Sequence, residues 1–135
     1  MRRISQIAFS ILFCVHALLT LTQCDDRATN TPTNLSPRIE IIHAADHIQT
    51  SFSTVISFRL VDPENKEITW TAGLDDGAGS KISPRAGGPI SSGSNQEIVF
   101  EAGTLRTKAK ITLLATDASG KNSDPVVLPI DVEIF

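Results

Sequence analysis

Apolar side chains at every second position are the feature that most limits how this chain folds. Between residues 55 and 61, Ile56, Phe58 and Leu60 alternate with Ser57 and Arg59. Such alternation places one set of side chains on one face of a β-strand and the other set on the opposite face. The pattern recurs in residues 38–43, 67–72, 97–101, 109–116 and 126–134.

The alternating positions predict which side chains form the hydrophobic core. Asp62-Pro63-Glu64-Asn65 and residues 117–123 are typical turn sequences between strands. Pro125 and Pro129 predict that the last strand lies at a sheet edge or changes partner, because proline cannot donate to a ladder. The predicted core comprises Ile39, Ile41, Ile56, Phe58, Leu60, Ile68, Trp70, Ala72, Ile98, Phe100, Ile111, Leu113, Ala115, Leu128, Ile130, Val132 and Ile134.

Residues 73–95 are rich in Gly, Ser, Pro and Asp and lack the alternation. We interpret them as a connector with one short strand near Lys81–Ser83; a recognition surface is the alternative for a loop of this length. No segment of the domain has helical periodicity. Six or seven short strands over about 100 residues predict an antiparallel β-sandwich.

The N-terminus has the layout of a secretory signal peptide. Arg2 and Arg3 precede a mostly apolar run from Ile4 to Leu21, which is short and interrupted for a membrane span. The alternative is an uncleaved anchor helix. Residues 24–37 contain Pro32 and Pro37 and no apolar periodicity, so they predict a flexible tether, about 40 Å long when extended.

Leu21-Thr22-Gln23-Cys24 resembles the lipobox of bacterial lipoproteins, with Gln23 where that family has Gly, Ala or Ser. The resemblance implies that residues 1–23 are removed and that Cys24 carries a thioether-linked lipid. Several acyl chains on one residue anchor a protein firmly to a bilayer. The protein would then be attached to a membrane of the bacterial cell envelope, either periplasmic or surface-exposed. The alternative is an incidental thiol after an ordinary cleavage site.

Residues 62–70, Asp-Pro-Glu-Asn-Lys-Glu-Ile-Thr-Trp, are similar to a recurring step of bacterial immunoglobulin-like, PKD-like and cadherin-like repeats. Residues 98–103 and 109–120 resemble the penultimate strands and final hairpin of the same repeats. The resemblance implies that residues 38–135 form one immunoglobulin-like β-sandwich of about seven strands. These modules serve as stalks, spacers and binding units, so the resemblance leaves function open.

Composition excludes several functions for this domain. Both cysteines, Cys14 and Cys24, lie in the leader region, so the domain has no thiol for a disulfide, a metal or catalysis. The net charge of the chain is −3 and becomes −5 when Arg2 and Arg3 are removed with residues 1–23; this acidic balance without a basic stripe argues against a nucleic-acid partner. The sequence lacks a Gly-x-Ser-x-Gly nucleophile motif, and His43 and His47 fall in one predicted loop; we therefore predict no enzymatic activity and no cofactor besides the lipid.

Four acidic residues are the weak candidates for a calcium site: Asp62, Glu64, Asp117 and Asp124 fall in loops that cadherin-like modules use for oxygen ligation. We favour no metal, because Asp is also an ordinary turn former. The leading hypothesis is a lipid-anchored envelope protein with a structural or adhesive role, whose partner is an envelope protein, a glycan or a host surface. The alternative is a periplasmic calcium- or carbohydrate-binding module.

Overall fold

Residues 34–134 are described by a computed structural model, in which nine β-strands pack as two sheets. No helix in this part of the chain is long and apolar enough to cross a membrane. The strands are β1 (Arg38–His43), β2 (His47–Gln49), β3 (Ser53–Val61), β4 (Ile68–Asp75), β5 (Lys81–Ser83), β6 (Ala86–Ile90), β7 (Asn95–Glu101), β8 (Thr107–Asp117) and β9 (Val126–Glu133).

The two sheets have four and five strands, in the orders β1-β3-β7-β5 and β2-β9-β8-β4-β6. Every neighbouring pair is antiparallel except β2 and β9, which run parallel. The chain therefore enters the four-stranded sheet as β1 and crosses to the five-stranded sheet as β2. The predicted all-β, immunoglobulin-like sandwich is confirmed, with nine strands rather than about seven.

The core lies between the sheets and consists mainly of the side chains that the alternation selects. Ile56, Phe58 and Leu60 are fully buried, and the buried set continues on β4, β7, β8 and β9. Two core predictions were wrong. Ile41 is 37% exposed because it lies on an edge strand beside a bulge, and Ile134 is 63% exposed because it lies beyond the end of β9.

The segment after β4 crosses between the sheets. The short strand predicted near Lys81–Ser83 is confirmed as β5, which pairs with β7. The chain then returns to pair with β4 as β6, a strand that the sequence did not predict. Gly87 allows this return, because a Cβ there would lie 2.5 Å from Nε1 of the buried Trp70.

The prediction that the last strand lies at a sheet edge is confirmed for the first part of β9. β8 pairs with residues 126–132 of β9, whereas β2 covers only Asp131 to Glu133 on the other side. Pro129 lies in the half of β9 that has no second neighbour within residues 34–134. Its missing N–H group therefore breaks no ladder hydrogen bond there.

The sandwich has two distinct ends. At the tether end, residues 34–37 lead into β1, and the β3–β4 and β8–β9 connections lie close together, since Arg38 pairs with Val61 and Ile68 with Asp117. The far end carries the connections at residues 50–52, 76–80 and 102–106. A molecule that approaches the domain from the side opposite the tether meets the far end first.

Candidate functional site

Three turns of the sandwich are built on the same pattern, in which an aspartate accepts hydrogen bonds from the backbone N–H groups two and four residues later. Asp62 and Asp117 do so through Oδ1, and Asp76 uses both oxygens. Such bonds satisfy amides that a tight turn would leave unpaired. The donors are Glu64 and Lys66 (2.8 and 3.1 Å), Ala78 and Ser80 (3.1 and 2.8 Å), and Ser119 and Lys121 (both 2.8 Å).

The residue three positions after each aspartate has a left-handed backbone. Asn65 has a φ of 57°, Gly79 of 80° and Gly120 of 82°. Glycine adopts this conformation without steric cost, and asparagine tolerates it better than most residues. The sequence signal for these turns is therefore Asp-x-x-(Gly/Asn)-x. Asp62 and Asp117, two of the predicted calcium candidates, have a structural role in these turns.

The tether end gathers three of the four predicted calcium candidates around one ammonium group. Nζ of Lys66 lies 2.6 Å from Oε2 of Glu64 and 3.6 Å from Oδ2 of Asp117. Asp62 adds a further negative charge near this group. Asp124, the fourth candidate, is exposed on the chain leading to β9. Within residues 34–134, no group of three or more His, Cys, Asp or Glu side chains is arranged to hold a metal ion.

The surroundings of Lys66 and Asp117 favour the charged forms of both side chains. The hydrogen bond to Glu64 raises the pKa of Lys66; burial opposes this effect, and the charges of Glu64, Asp117 and Asp62 add to it. Burial would raise the pKa of Asp117, but hydrogen bonds from the amides of Lys121 and Ser119, together with the charge of Lys66, hold that pKa below its usual value. Lys66 and Asp117 are therefore both charged at neutral pH.

Two carboxylate oxygens of the cluster remain without hydrogen bonds in the described part of the chain. Oδ2 of Asp62 and Oδ2 of Asp117 are both buried. For Asp117 the ammonium of Lys66 supplies a compensating charge at 3.6 Å. A buried carboxylate oxygen is stabilised by a nearby cation, so Oδ2 of Asp117 explains why Lys66 is held here.

The same cluster fixes the last residues before β1. Nζ of Lys66 donates to Oδ1 of Asn34 at 2.7 Å, and Nζ of Lys121 donates to the carbonyl oxygen of Asn34. The amide of Leu35 donates to Oε2 of Glu64 at 3.3 Å, and Pro37 is buried. Residues 34–37, which the sequence placed in the tether, thus lie against the two turns of the tether end. Cys24 lies outside the described residues.

Trp70 is part of the core, as predicted, and is only 2% exposed. Its ring meets Phe58 edge to face, with centroids 5.1 Å apart and planes at 87°. Its Nε1 donates a hydrogen bond to Oε1 of Gln96 at 3.3 Å. Because the indole is enclosed and its polar atom is paired, Trp70 has no free face for stacking a ligand.

His43 and His47, which were predicted to fall in one loop, lie on either side of the connection between β1 and β2. His43 ends β1 and His47 begins β2, and both are exposed. Nε2 of His47 is 3.7 Å from a carboxylate oxygen of Asp46, and Nδ1 is 4.0 Å from one of Asp131. These contacts are those of a solvated surface imidazole.

An open groove of about 530 Å³ lies on the surface near the far end, where residues 75–77 meet β8 and β9. Lys108 and Lys110 face Asp75 and Asp76 across it, so its lining carries charges of both signs. Lys110 and Asp75 form an exposed ion pair at 3.8 Å. The groove is open rather than enclosed, and four of its eight lining residues are charged, which is unlike a typical small-molecule site.

Three of the most exposed large apolar side chains lie at the far end: Phe52 and Leu105, each 60% exposed, and Ile134, 63% exposed. The backbone of Phe52 accepts a hydrogen bond from Ala102 at 2.8 Å. Leu105 and Ile134 lie just beyond the last pair of the β8–β9 ladder, Thr107 with Val132. We call these three residues the far-end patch. Sequence reasoning missed it, because Phe52 and Leu105 lie in loops that have no alternation, and the alternation of the last strand predicted that Ile134 is buried.

No protein-family model and no curated protein matches the sequence. Among solved structures, the PKD domain of an M14-like peptidase from a Thermoplasmatales archaeon is 14% identical, with a TM-score of 0.54 over 72% of this chain and 92% of that one. An MSP family member of Caenorhabditis elegans is 6% identical, with a TM-score of 0.54 over 70% and 97%.

The SrpA adhesin of Streptococcus sanguinis is 16% identical, with a TM-score of 0.52 over 73% of this chain and 58% of the adhesin. At these identities the likeness establishes the fold alone. The chain contains an immunoglobulin-like β-sandwich, a fold found here in both an adhesin and a domain attached to a peptidase.

Proposed function

We propose that this chain is a lipid-anchored protein of the bacterial cell envelope, whose single immunoglobulin-like domain has a structural or adhesive role. Cys24 carries the lipid, and the residues after it hold the domain away from the headgroups. The far end of the sandwich meets the partner, an envelope protein, a glycan or a host surface. The domain has no catalytic role of its own.

The observation that carries this proposal is the opposite character of the two ends. At the tether end, the charged side chains of Lys66, Lys121 and Glu64 are engaged with residues 34–35. The far-end patch instead leaves Phe52 and Leu105 largely in contact with solvent. The loops of these two residues are joined, since the N–H of Ser51 donates to the carbonyl of Gly103 at 3.0 Å, and exposed large apolar side chains that lie together are a common mark of a protein-interaction surface. The domain is thus attached at one end and available at the other.

The length of the tether agrees with this arrangement. Asn34 follows Cys24 by ten positions, and a fully extended chain spans about 3.3 Å per residue. The domain can therefore stand up to about 33 Å from its acyl chains. That reach allows the far end to project beyond the headgroup layer.

A non-catalytic role is supported by what the polar side chains do. Asp62, Asp76 and Asp117 are engaged in turns, and Trp70 is enclosed in the core. An active site requires a nucleophile or acid and base groups that meet around a reacting atom. The charged clusters of residues 34–134 are instead occupied with backbone amides and ion pairs.

Mass spectrometry of the N-terminal peptide from a membrane fraction tests the anchor. We expect the mature chain to begin at Cys24 with a diacylglyceryl thioether, and Cys24→Ser to remain unprocessed and unlipidated. Cys14→Ser is the matched control and should leave processing unchanged. A mature chain that is free of lipid, or that begins at another residue, would contradict the anchor.

Calcium binding is a second candidate function, favoured by the buried and unbonded Oδ2 atoms of Asp62 and Asp117. A calcium ion would have to displace the ammonium of Lys66, which already lies among the carboxylates. Ligands that bind only the folded state raise its melting temperature. A rise in Tm with millimolar CaCl₂, but not with NaCl of equal ionic strength, would support this candidate; an unchanged Tm would reject it.

A further inference from the structure

Four strands form the edges of the two sheets within residues 34–134, and three of them are poorly suited to pairing with another chain. β2 and β5 have only three residues each, and β6 contains Pro89. Short strands and proline are devices that prevent strand addition at an edge. β1 is different, because it has six residues, Arg38–His43, and no proline.

We propose that β1 pairs antiparallel with β1 of a second copy of this chain, about a two-fold axis at Ile39. The pairing joins two four-stranded sheets into one sheet of eight strands. It does not depend on the lipid or on the far-end partner, so it goes beyond the proposed function.

The backbone of Ile39 faces the open edge. Its partner on β3, Leu60, donates its N–H to the carbonyl of Ser94 at 3.2 Å and accepts from the N–H of Gly93 at 2.7 Å. Both polar groups of Leu60 therefore point away from β1. In an antiparallel ladder, opposite residues either exchange both hydrogen bonds or exchange none, so the N–H and C=O of Ile39 point away from β3. They are placed to bond an incoming strand.

The charges of β1 select the register of this pairing. Because Ile39 packs toward the core, Arg38 and Glu40 lie on the outer face of the strand, where they form an ion pair at 2.9 Å. An axis at Ile39 places Arg38 opposite Glu40 of the second copy, and Glu40 opposite Arg38 of that copy. An axis at Glu40 or at Arg38 would place like charges opposite each other, which is unfavourable.

The pairing also accounts for the exposure of Ile41. The alternation of β1 predicts an inward side chain there, yet 37% of the residue is exposed. With the axis at Ile39, Ile41 lies opposite Pro37 of the second copy, which covers the Ile41 side chain but, lacking an N–H group, gives this pair one hydrogen bond instead of two. The bulge between Ile41 and His43 lies outside the paired residues. It limits the pairing to the first half of β1.

Disulfide cross-linking in membranes tests the pairing with the full chain. Two differently tagged copies are expressed together, one with Arg38→Cys and the other with Glu40→Cys, and the membranes are oxidised. In the proposed register these positions form a non-hydrogen-bonded pair with Cα atoms about 4.5 Å apart, which lies within the disulfide range of roughly 4.4–6.8 Å. The chain without added cysteines measures the background from Cys14 and Cys24.

We expect copies with Arg38→Cys and copies with Glu40→Cys to form a cross-linked dimer with each other at least fivefold above that background. Two copies that carry the same cysteine should form cross-linked dimers only at the background level. Cross-linking of Glu40→Cys with itself would move the axis to Glu40 and overturn the proposed register. No cross-linking of the mixed pair above background would overturn the pairing itself. The same measurement on copies that also carry Cys24→Ser separates this result from the outcome of the lipid test.

Charge reversal provides an independent check by co-isolation of tagged copies. Arg38→Glu and Glu40→Arg should each reduce recovery of the second copy, because each places like charges across the axis. The double variant Arg38→Glu/Glu40→Arg restores complementarity and should restore recovery. Equal recovery from all four forms would overturn the role of these charges. Circular dichroism of each variant distinguishes lost pairing from lost folding.

Discussion

Nζ of Lys66 lies 3.6 Å from Oδ2 of Asp117 and joins two turns that are 51 residues apart in the chain. Each residue belongs to its own Asp-x-x-(Gly/Asn)-x turn: Asp117 opens the β8–β9 connection, and Lys66 closes the turn that Asp62 opens. The ammonium also holds Asn34 through its side-chain oxygen at 2.7 Å. This one cation therefore connects the start of the domain with both turns of the tether end.

Replacing Lys66 by methionine is expected to lower Tm, because Asp117 would keep a buried carboxylate oxygen without its nearby cation. Lys110→Met is the matched control, because its ion pair with Asp75 is exposed on both sides and such pairs add little stability. Thermal melting followed by circular dichroism measures both variants. Equal Tm values for the two variants would show that the Lys66 contact contributes nothing beyond a surface pair.

The pKa shifts predict how stability depends on pH at the acidic end. The pKa values of Asp76 and Asp117 are lowered from an ordinary value of 3.8, so the folded state binds protons less readily than the unfolded state. Their contribution is complete above pH 3.8 and is lost as the pH falls through the lowered values. In Asp117→Asn this part of the acid loss should disappear from a Tm–pH curve. A Tm that already falls in wild type between pH 7 and 5 would contradict this origin.

The raised pKa of Lys66 predicts how the stability of the domain changes at alkaline pH. Its pKa is raised above 10.5, so the folded state holds this proton more tightly than the unfolded state. The stabilisation is complete below pH 10.5 and is lost as the pH rises through the higher folded-state value. The alkaline fall in Tm should therefore be smaller in Lys66→Met than in wild type.

The contact between Gly87 and Trp70 predicts a specific steric effect. A Cβ at residue 87 would lie 2.5 Å from Nε1 and 2.8 Å from Cε2 of the buried indole, so Gly87→Ala should destabilise the domain by about 1–3 kcal/mol. Gly73→Ala is the control, because the nearest atom to its new Cβ is 3.9 Å away. Urea unfolding followed by the fluorescence of Trp70, the single tryptophan of the chain, measures both. Similar unfolding midpoints would show that β6 moves freely away from the indole.

Much of this fold follows from the sequence because burial on one face of a strand requires a period of two. β3, β4, β7, β8 and most of β9 were predicted on that basis, with their core residues. β6 was not, since Gly87, Gly88 and Pro89 carry no apolar alternation and the strand exists because it packs over Trp70. β2 escaped prediction as well, because its three residues are fixed by pairing with β9 rather than by their own pattern.

At the candidate site, the sequence identified the acidic residues but not the contacts between them. Asp62, Glu64 and Asp117 could be selected from the sequence as oxygen ligands near turns. That Lys66 brings its ammonium among them depends on two connections meeting at one end of the sandwich. No local pattern encodes that meeting. The far-end patch likewise arises from three separate parts of the chain.

The far-end patch yields the last prediction, which concerns binding rather than stability. Because Phe52 is 60% exposed, Phe52→Asp should change the free energy of unfolding by no more than about 0.5 kcal/mol. The same substitution should abolish recovery of partners cross-linked to the domain in intact cells, since it places a charge in the apolar surface that meets them. Val127→Asp is the matched control: Val127 is 48% exposed but lies on β9, away from the far end. If Val127→Asp lost the same partners while Phe52→Asp kept them, the binding surface would lie on the β9 side, and the far end would not be the end that meets the partner.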